Sequence, residues 1–187
     1  MQPEIKVTVT SGRAEKSLAA SLKRLKGSQV LVGVPESTAQ QRMLDIIELA
    51  SKAGKKRKAY LLKVAQRKAI NNAQLVYIQT NGSILKNIPA RPIIEPAIKN
   101  KDNLALLTSE LILAAEASLD GRPEDVTKHL KRTALLAEGL VRRWFTDPRN
   151  HWAPNAPETI RRKGSDRPNI DTAEMRKSIV GLVSEEQ

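Results

Sequence analysis

The stretch NIPARPIIEPAIKN, residues 87–100, places Pro89, Pro92 and Pro96 within eight positions, among apolar neighbours and with Arg91 as its only arginine. Each proline ring fixes its own φ and steers the residue before it away from the helical region, so Ile88, Arg91 and Glu95 are pushed towards extended backbone. The run IPARP therefore reads as a stiff, extended strap. Pro96 differs, because in the first turn of a helix its missing N–H costs nothing, and Glu95 beside it suits the positive helix start. The expectation is an extended strap that feeds directly into a long helix.

The flanking residues supply the elements around that strap. Ile5, Val7 and Val9 alternate with Lys6, Thr8 and Thr10 as in a half-exposed strand. Ala14, Leu18, Leu22 and Leu25 recur at helical spacing after Ser11 and Gly12, with Gly27 as a left-handed stop. QVLVGV reads as a central rather than an edge strand. Ser37 and Gln40 have capping-box spacing before a second helix bearing Met43, Ile46, Ile47 and Ala50. Leu75 to Ile78 restore strand character, with a hairpin turn near Asn81 and Gly82. Beyond the strap, Leu104, Leu107, Leu111, Ala114 and Ala115 mark one buried stripe. Val126, Leu130, Thr133, Ala137, Leu140, Val141 and Trp144 mark a second, after the break at LDGRPED.

After Phe145, Pro148, Pro154, Pro157 and Pro168 forbid regular structure over much of the chain, while Trp152, Ile160 and Ile170 need burial. An arm packed on the body or on a neighbour satisfies both. Asp171 and Glu174 frame a short capped helix, and SIVGLV returns as a strand. The expected fold is α+β, in a single domain over residues 1–187. A small, mostly antiparallel sheet packs on two long antiparallel helices, with an inserted basic helical segment at 36–73 and an extended C-terminal arm at 147–187.

Composition bounds the partners. Lys and Arg outnumber Asp and Glu by 32 to 20, a formal charge of +12, which favours acidic partners such as nucleic acid or acidic protein surfaces. Eight of the cations fall between Lys52 and Lys68. That run is either a solvated excursion or, through Lys55, Lys56, Arg57 and Lys58, a contact to DNA or an acidic partner. Aromatic residues are only 3%, so stacking platforms for single-stranded nucleic acid are scarce. The chain has no cysteine and hence no thiolate site or disulfide. Its opening residues lack a signal-peptide core, and its apolar runs are too short to span a bilayer, so a cytoplasmic site of synthesis and no membrane partner are expected.

No enzymatic constellation stands out. His129 and His151 show no carboxylate partner or second ligand at metal spacing. Asp45, Glu48, Glu124 and Asp125 read as helix-face or cap residues. The sequence shows no phosphate-cradling glycine loop and no nucleophile elbow. A non-enzyme without cofactor or metal is the expectation.

The order VYIQTNGSILKNIPARPIIEPAIKN, long helical hairpin, TIRRKGSDRPNIDTAEMRKSIVGLV resembles the tail-completion or head-to-tail joining proteins of long-tailed bacteriophages. In that family a strand ending in a glycine turn precedes an IPARPF strap, and a late TIxxK…PLIDTGxLxxSI element ends the chain. Gly82, Pro89, Ala90, Arg91, Pro92 and Pro96 fall on the strap pattern. Thr159, Ile160, Lys163, Pro168, Ile170, Asp171, Thr172, Met175, Ser178 and Ile179 fall on the terminal one. Ile93 stands where the family usually has Phe, Asn169 where it has Leu, Ala173 where it has Gly, and QTNG replaces HEFG.

The resemblance implies a structural virion protein of the neck or tail, present in the host cytoplasm during assembly. It would form a homo-oligomeric ring, a hexamer in the usual terminator arrangement, that caps the tail tube and joins the tail to the DNA-filled head. Its partners would be the tail tube protein and the connector or stopper, with genomic DNA nearby without sequence recognition. The interface residues it implies are Pro89, Arg91, Pro92, Trp152, Ile160, Arg161, Arg162, Lys163 and Ile170. Arg91 reads either as a stem covering the core or as an ion pair across a protomer boundary; Trp144 and Trp152 read as core or arm anchors. The alternative function is a basic protein that binds nucleic acid without sequence preference.

Overall fold

The computed structural model describes residues 11–35, 47–66 and 71–185. The expected strand at Ile5–Val9, the Ser37/Gln40 capping box, Met43, Ile46 and Lys68 lie outside the described residues. In chain order the elements are α1 (Ser11–Lys26), β1 (Ser28–Gly33), a helical stretch at 47–51, α2 (Lys55–Gln66), α3 (Asn72–Asn81), α4 (Ile94–Lys99), α5 (Lys101–Leu119), α6 (Pro123–Trp144), α7 (Pro157–Lys163), α8 (Glu174–Lys177) and β2 (Val180–Glu185). β1 and β2 form a two-stranded antiparallel sheet. The fold is α+β, dominated by helix. No described helix is long and apolar enough to cross a membrane.

The chain divides into two compact units. Among the described residues, the first takes 11–31, 105–134 and 182–185. Its core is Ala114 and Ala117 of α5 against Val126 and Leu130 of α6, with Leu25, Val30 and Val183 around them. Small residues allow close approach: Ser21 is fully buried and its hydroxyl donates to the carbonyl of Ser118 at 2.7 Å. The α5–α6 turn is a Schellman motif, with Arg122 N–H bonded to Ala117 O at 2.9 Å and Gly121 N–H to Ser118 O at 3.2 Å. Gly121 takes φ +67°, and a Cβ there would lie 3.2 Å from the backbone nitrogen of Leu18, so glycine serves both the turn and the seat of α1. The residues expected on α6 are all buried. On α5 the expectation fails in part: Leu104 and Leu111 are exposed, and the buried side is Asn103, Leu107, Ala114, Ala117 and Ser118.

The second unit takes 32–35, 47–66, 71–104 and 135–181 of the described residues. Its core gathers Val76, Ile93, Ala97, Val141, Trp144, Phe145, Met175 and Ile179. The segment Leu75–Ile78, expected as a strand, is helical. Asn71 and Gln74 form a reciprocal capping box, at 2.7 Å and 3.1 Å, and Gly82 closes the helix through an N–H bond to Ile78 O at 2.8 Å. These end signals override the β-propensity of Val76, Tyr77 and Ile78. The expected hairpin is replaced by a smaller loop in which Ser83 and Ile88 form an antiparallel bridge around a 3₁₀ turn at Ile84–Lys86.

Further corrections are local. The strap does not run straight into the long helix: α4 stops at Asn100, whose side-chain carbonyl then accepts from Asp102 N–H at 3.2 Å and starts α5. Gly27 ends α1 without positive φ. β1 alternates in burial with Leu31 exposed, the pattern of a one-sided strand rather than a central one among the described residues. Pro148 and Pro157 begin short helical turns instead of forbidding them. Asp171 does not cap α8; Ala173 precedes that helix at φ +64°, with no side-chain cap bond.

Candidate functional site

The strap and the terminal segment after α6 line one groove of about 1390 Å³ in the second unit. One wall is the strap. Gly82 sits at φ +72°, and a Cβ on it would lie 2.7 Å from Ile88 O and 2.8 Å from Ala90 N, so the loop can fold back on itself only with glycine there. Arg91 N–H then donates to Gln79 O at 2.7 Å, which lays the strap against α3.

The Arg91 side chain is 6% exposed and reaches the arm, where Nε donates to Ala153 O at 3.0 Å and Nη2 to Pro154 O at 3.0 Å. The planar fork thus clamps two successive carbonyls of a proline-interrupted segment that has no ladder of its own. Burial pulls the Arg91 pKa below its usual value. Neither reading from the sequence anticipated this role, since the arginine ties strap to arm within one chain. Trp152 adds a second tie, its indole N–H donating to Pro92 O at 3.0 Å while its ring meets Phe145 edge-on with centroids 5.7 Å apart.

The opposite wall comes from α7 and the turn after it. Lys163 Nζ donates to Arg167 O at 2.8 Å, and Asn155 Nδ2 to Asp166 O at 2.9 Å. Burial lowers the Lys163 pKa, while Asp171 nearby raises it. Asp171 binds the guanidinium of Arg57 and accepts from the Tyr60 hydroxyl at 3.1 Å. The Tyr60 pKa is raised, first by burial and then by the Asp171 charge. The Arg57 and Arg162 guanidinium carbons lie 5.3 and 5.6 Å from the Tyr60 ring centroid, a cation–π arrangement on both. Helix α2 of the basic segment is therefore fastened to the terminal element, with Leu61 buried beside Ala50.

Of the expected interface residues, Pro89, Arg91, Arg162 and Lys163 share the groove. Trp152 and Ile170 instead pack on the unit's own core. Ile160 is half-buried, and Arg161 is exposed, paired with Glu158. Lys55, Lys56 and Lys58 are exposed, while Arg57 is turned onto Asp171. Gln79 and Asn155 were missed: nothing in their sequence neighbourhood marks them, and only the fold brings them here. Gln79 Oε1 and the Asn169 amide are buried atoms without a hydrogen-bond partner among the described residues.

In the first unit, His129 does have a carboxylate partner, its Nδ1 lying 2.7 Å from Glu110 Oε1. The two are 19 residues apart on successive helices, a spacing that no local motif reveals. His151 is exposed. No group of three or more His, Cys, Asp or Glu placed to hold a metal occurs among the described residues.

Comparison of the chain with family models, curated proteins and solved structures finds no match.

Proposed function

We propose that the chain is a structural protein of a phage neck or tail, assembling as a ring that completes the tail tube and joins it to the head. The observation that carries this reading is the meeting of the strap and terminal segments, some 70 residues apart, around one groove. The positions that follow the family pattern also have physical reasons to be there. Gly82 is required by close backbone approach, Arg91 by two carbonyls, and Asp171 by Arg57 and Tyr60. A stiff strap clamped to an arm gives a subunit the rigid edges that a closed ring needs.

The test is genetic and visual. Particles made without this chain are expected to accumulate as filled heads beside separate tails, and labelled chain is expected at the head-proximal end of the tail as a ring. Normal joined particles in its absence would sink the reading.

A second reading, binding of nucleic acid without sequence preference, is favoured by the exposed Lys55, Lys56 and Lys58 on one turn of α2 in a chain of charge +12. Replacing these three by Gln should lower duplex affinity and flatten its salt dependence if that reading is right. Unchanged particle joining in the same variant would separate it from the ring function.

A further inference from the structure

We propose that the groove between the strap and α7 binds an extended acidic segment of another protein, one in which Asp or Glu residues flank an aliphatic side chain. The site would serve a ring subunit or a lone one alike.

Charge selects the sign of the occupant. Lys86, Arg91, Arg162 and Lys163 line the groove, and among the described residues Asp171 is the one acid that does. That carboxylate is already met, by the Arg57 guanidinium and by the Tyr60 hydroxyl at 3.1 Å. Lys86, Arg162 and Lys163 enter no salt bridge among the described residues. Lys163 is half-buried: burial lowers its pKa first, Asp171 opposes, and the charges of Arg91, Arg57 and Arg162 lower it further. Like charges gathered in a concavity focus a positive potential, which an anionic side chain relieves. Arg162, steadied on the Tyr60 ring at 5.6 Å, offers the planar fork that pairs a carboxylate through two bonds.

The walls select a peptide. Ile84 is 100% exposed and lines the same groove, with Lys86 two residues further on. Its loop is braced, because Ser83 and Ile88 exchange both backbone bonds at 2.8 and 2.9 Å, and a loop already fixed in shape loses little freedom on binding. Pro89, Pro154 and Pro157 add exposed apolar surface that carries no N–H, so an incoming chain is gripped by its side chains and not as an added strand.

A phosphodiester strand fits these walls badly, since it is charged at every unit and sets hydrated phosphates against Ile84 and the prolines. Tyr60 is the only aromatic residue lining the groove among those described, and Arg57 and Arg162 engage its ring, which leaves no platform for a base. At about 1390 Å³ the groove exceeds the roughly 300–1,000 Å³ of small-ligand pockets and suits several residues of extended chain. Lys55, Lys56 and Lys58 are not part of its lining, so the α2 cations form a separate feature.

Fluorescence anisotropy of a labelled peptide of repeated Glu-Glu-Leu triplets, titrated with the full chain, tests this. Binding is expected, and it should weaken as NaCl is raised. Lys86→Gln with Arg162→Gln should weaken it by more than about tenfold, and Ile84→Ser several-fold with the salt dependence kept, each with melting temperature unchanged. Lys55→Gln with Lys56→Gln and Lys58→Gln removes more charge from outside the groove and should change affinity by less than about twofold. An equal loss in that control would reduce the binding to net charge and overturn the site. Displacement of the peptide by inorganic phosphate, or tighter binding of duplex DNA that is lost in the same groove variant, would overturn the choice of a peptide. Wild type that leaves the peptide free up to about 1 mM would remove the proposal while leaving the joining of heads to tails untouched.

Discussion

Helix α6 and the arm that follows it are neighbours in sequence and share one core, but they are held to different degrees by burial and by directional bonds. The helix buries a continuous stripe from Val126 to Trp144. The arm places Met175 and Ile179 in the core and is otherwise fixed at points: Arg91 on two carbonyls, the Trp152 indole on Pro92 O, Asn155 on Asp166 O, and Arg142 on the carbonyls of Lys177 and Ile179. A stripe spreads its stabilisation over many weak contacts. A clamped arm concentrates it in a few directional ones, of which the part-buried pair from Arg91 is the costliest to leave unmade. Loss of one stripe residue should lower the stability of the whole, whereas loss of one clamp should release a segment.

The sharpest contrast lies within α6 itself. Leu130→Ala, at a buried core position, is expected to cost about 2–5 kcal/mol in chemical denaturation. Leu135→Ala, on the same helix but 65% exposed, should stay within about 0.5 kcal/mol. Equal costs would mean that the outer face of α6 is covered in solution, and the stripe would no longer explain the helix.

For the arm, Arg91→Ala removes two charge-assisted bonds and is expected to cost about 3 kcal/mol, read chiefly as faster hydrogen exchange at 152–157. Arg91→Lys should restore little, because an ammonium cannot reproduce the fork across two successive carbonyls. If exchange rises uniformly along the chain instead, the arm belongs to the same cooperative unit as α6 and the contrast fails.

The two regions also differ in how much of each can be read from sequence. The α6 stripe is visible because charged residues fill its other face. In α5 the run LALLTSELILAA is apolar around most of the helix, so the periodicity cannot choose a side, and Leu104 and Leu111 were expected inside although they lie outside. Helix α3 was misread for a related reason: a short apolar run is ambiguous between strand and helix, and the deciding signal was the Asn71–Gln74 spacing with Gly82 at the other end. The proline strap was legible as extended, but the destination of Arg91 was not, since Ala153 and Pro154 are more than 60 residues away and present only backbone. The same holds for Arg57 with Asp171 and for His129 with Glu110. Local rules reveal elements, whereas point contacts between distant segments exist only once those elements have packed.

A smaller effect probes the arm's last turn. Ala173 holds φ +64° at the entry to α8, a conformation that favours glycine. The left-handed conformation costs a non-glycine residue about 1–2 kcal/mol, and glycine gives back about 0.5–1 through the freedom of its unfolded chain. Ala173→Gly should therefore stabilise by about 0.5–1 kcal/mol, measured as a rise in melting temperature. A decrease would show that the Cβ at this position makes a contact that outweighs its strain.

The smallest effect lies where the arm begins. Asp147 accepts from Arg149 at both oxygens, at 2.9 and 2.7 Å, and from the Arg149 backbone N–H at 2.9 Å, while the same guanidinium reaches Asp102 at the start of α5 at 2.8 Å. The hydrogen bonds from the Arg149 side chain lower the Asp147 pKa from its ordinary 3.8. The folded chain thus holds the carboxylate form more tightly than the unfolded chain does. That contribution is complete above the ordinary value and disappears as pH falls through the lowered folded one. Arg149 is well exposed to water, which screens the pair and keeps its worth small. Asp147→Asn should accordingly lower the melting temperature slightly at pH 6, and the gap between variant and wild type should close as pH drops below 3.8. A gap that persists unchanged into acid would assign the contribution to the capping geometry of the 3₁₀ turn rather than to charge, and the arm would then begin, like α6, with a contact indifferent to protonation.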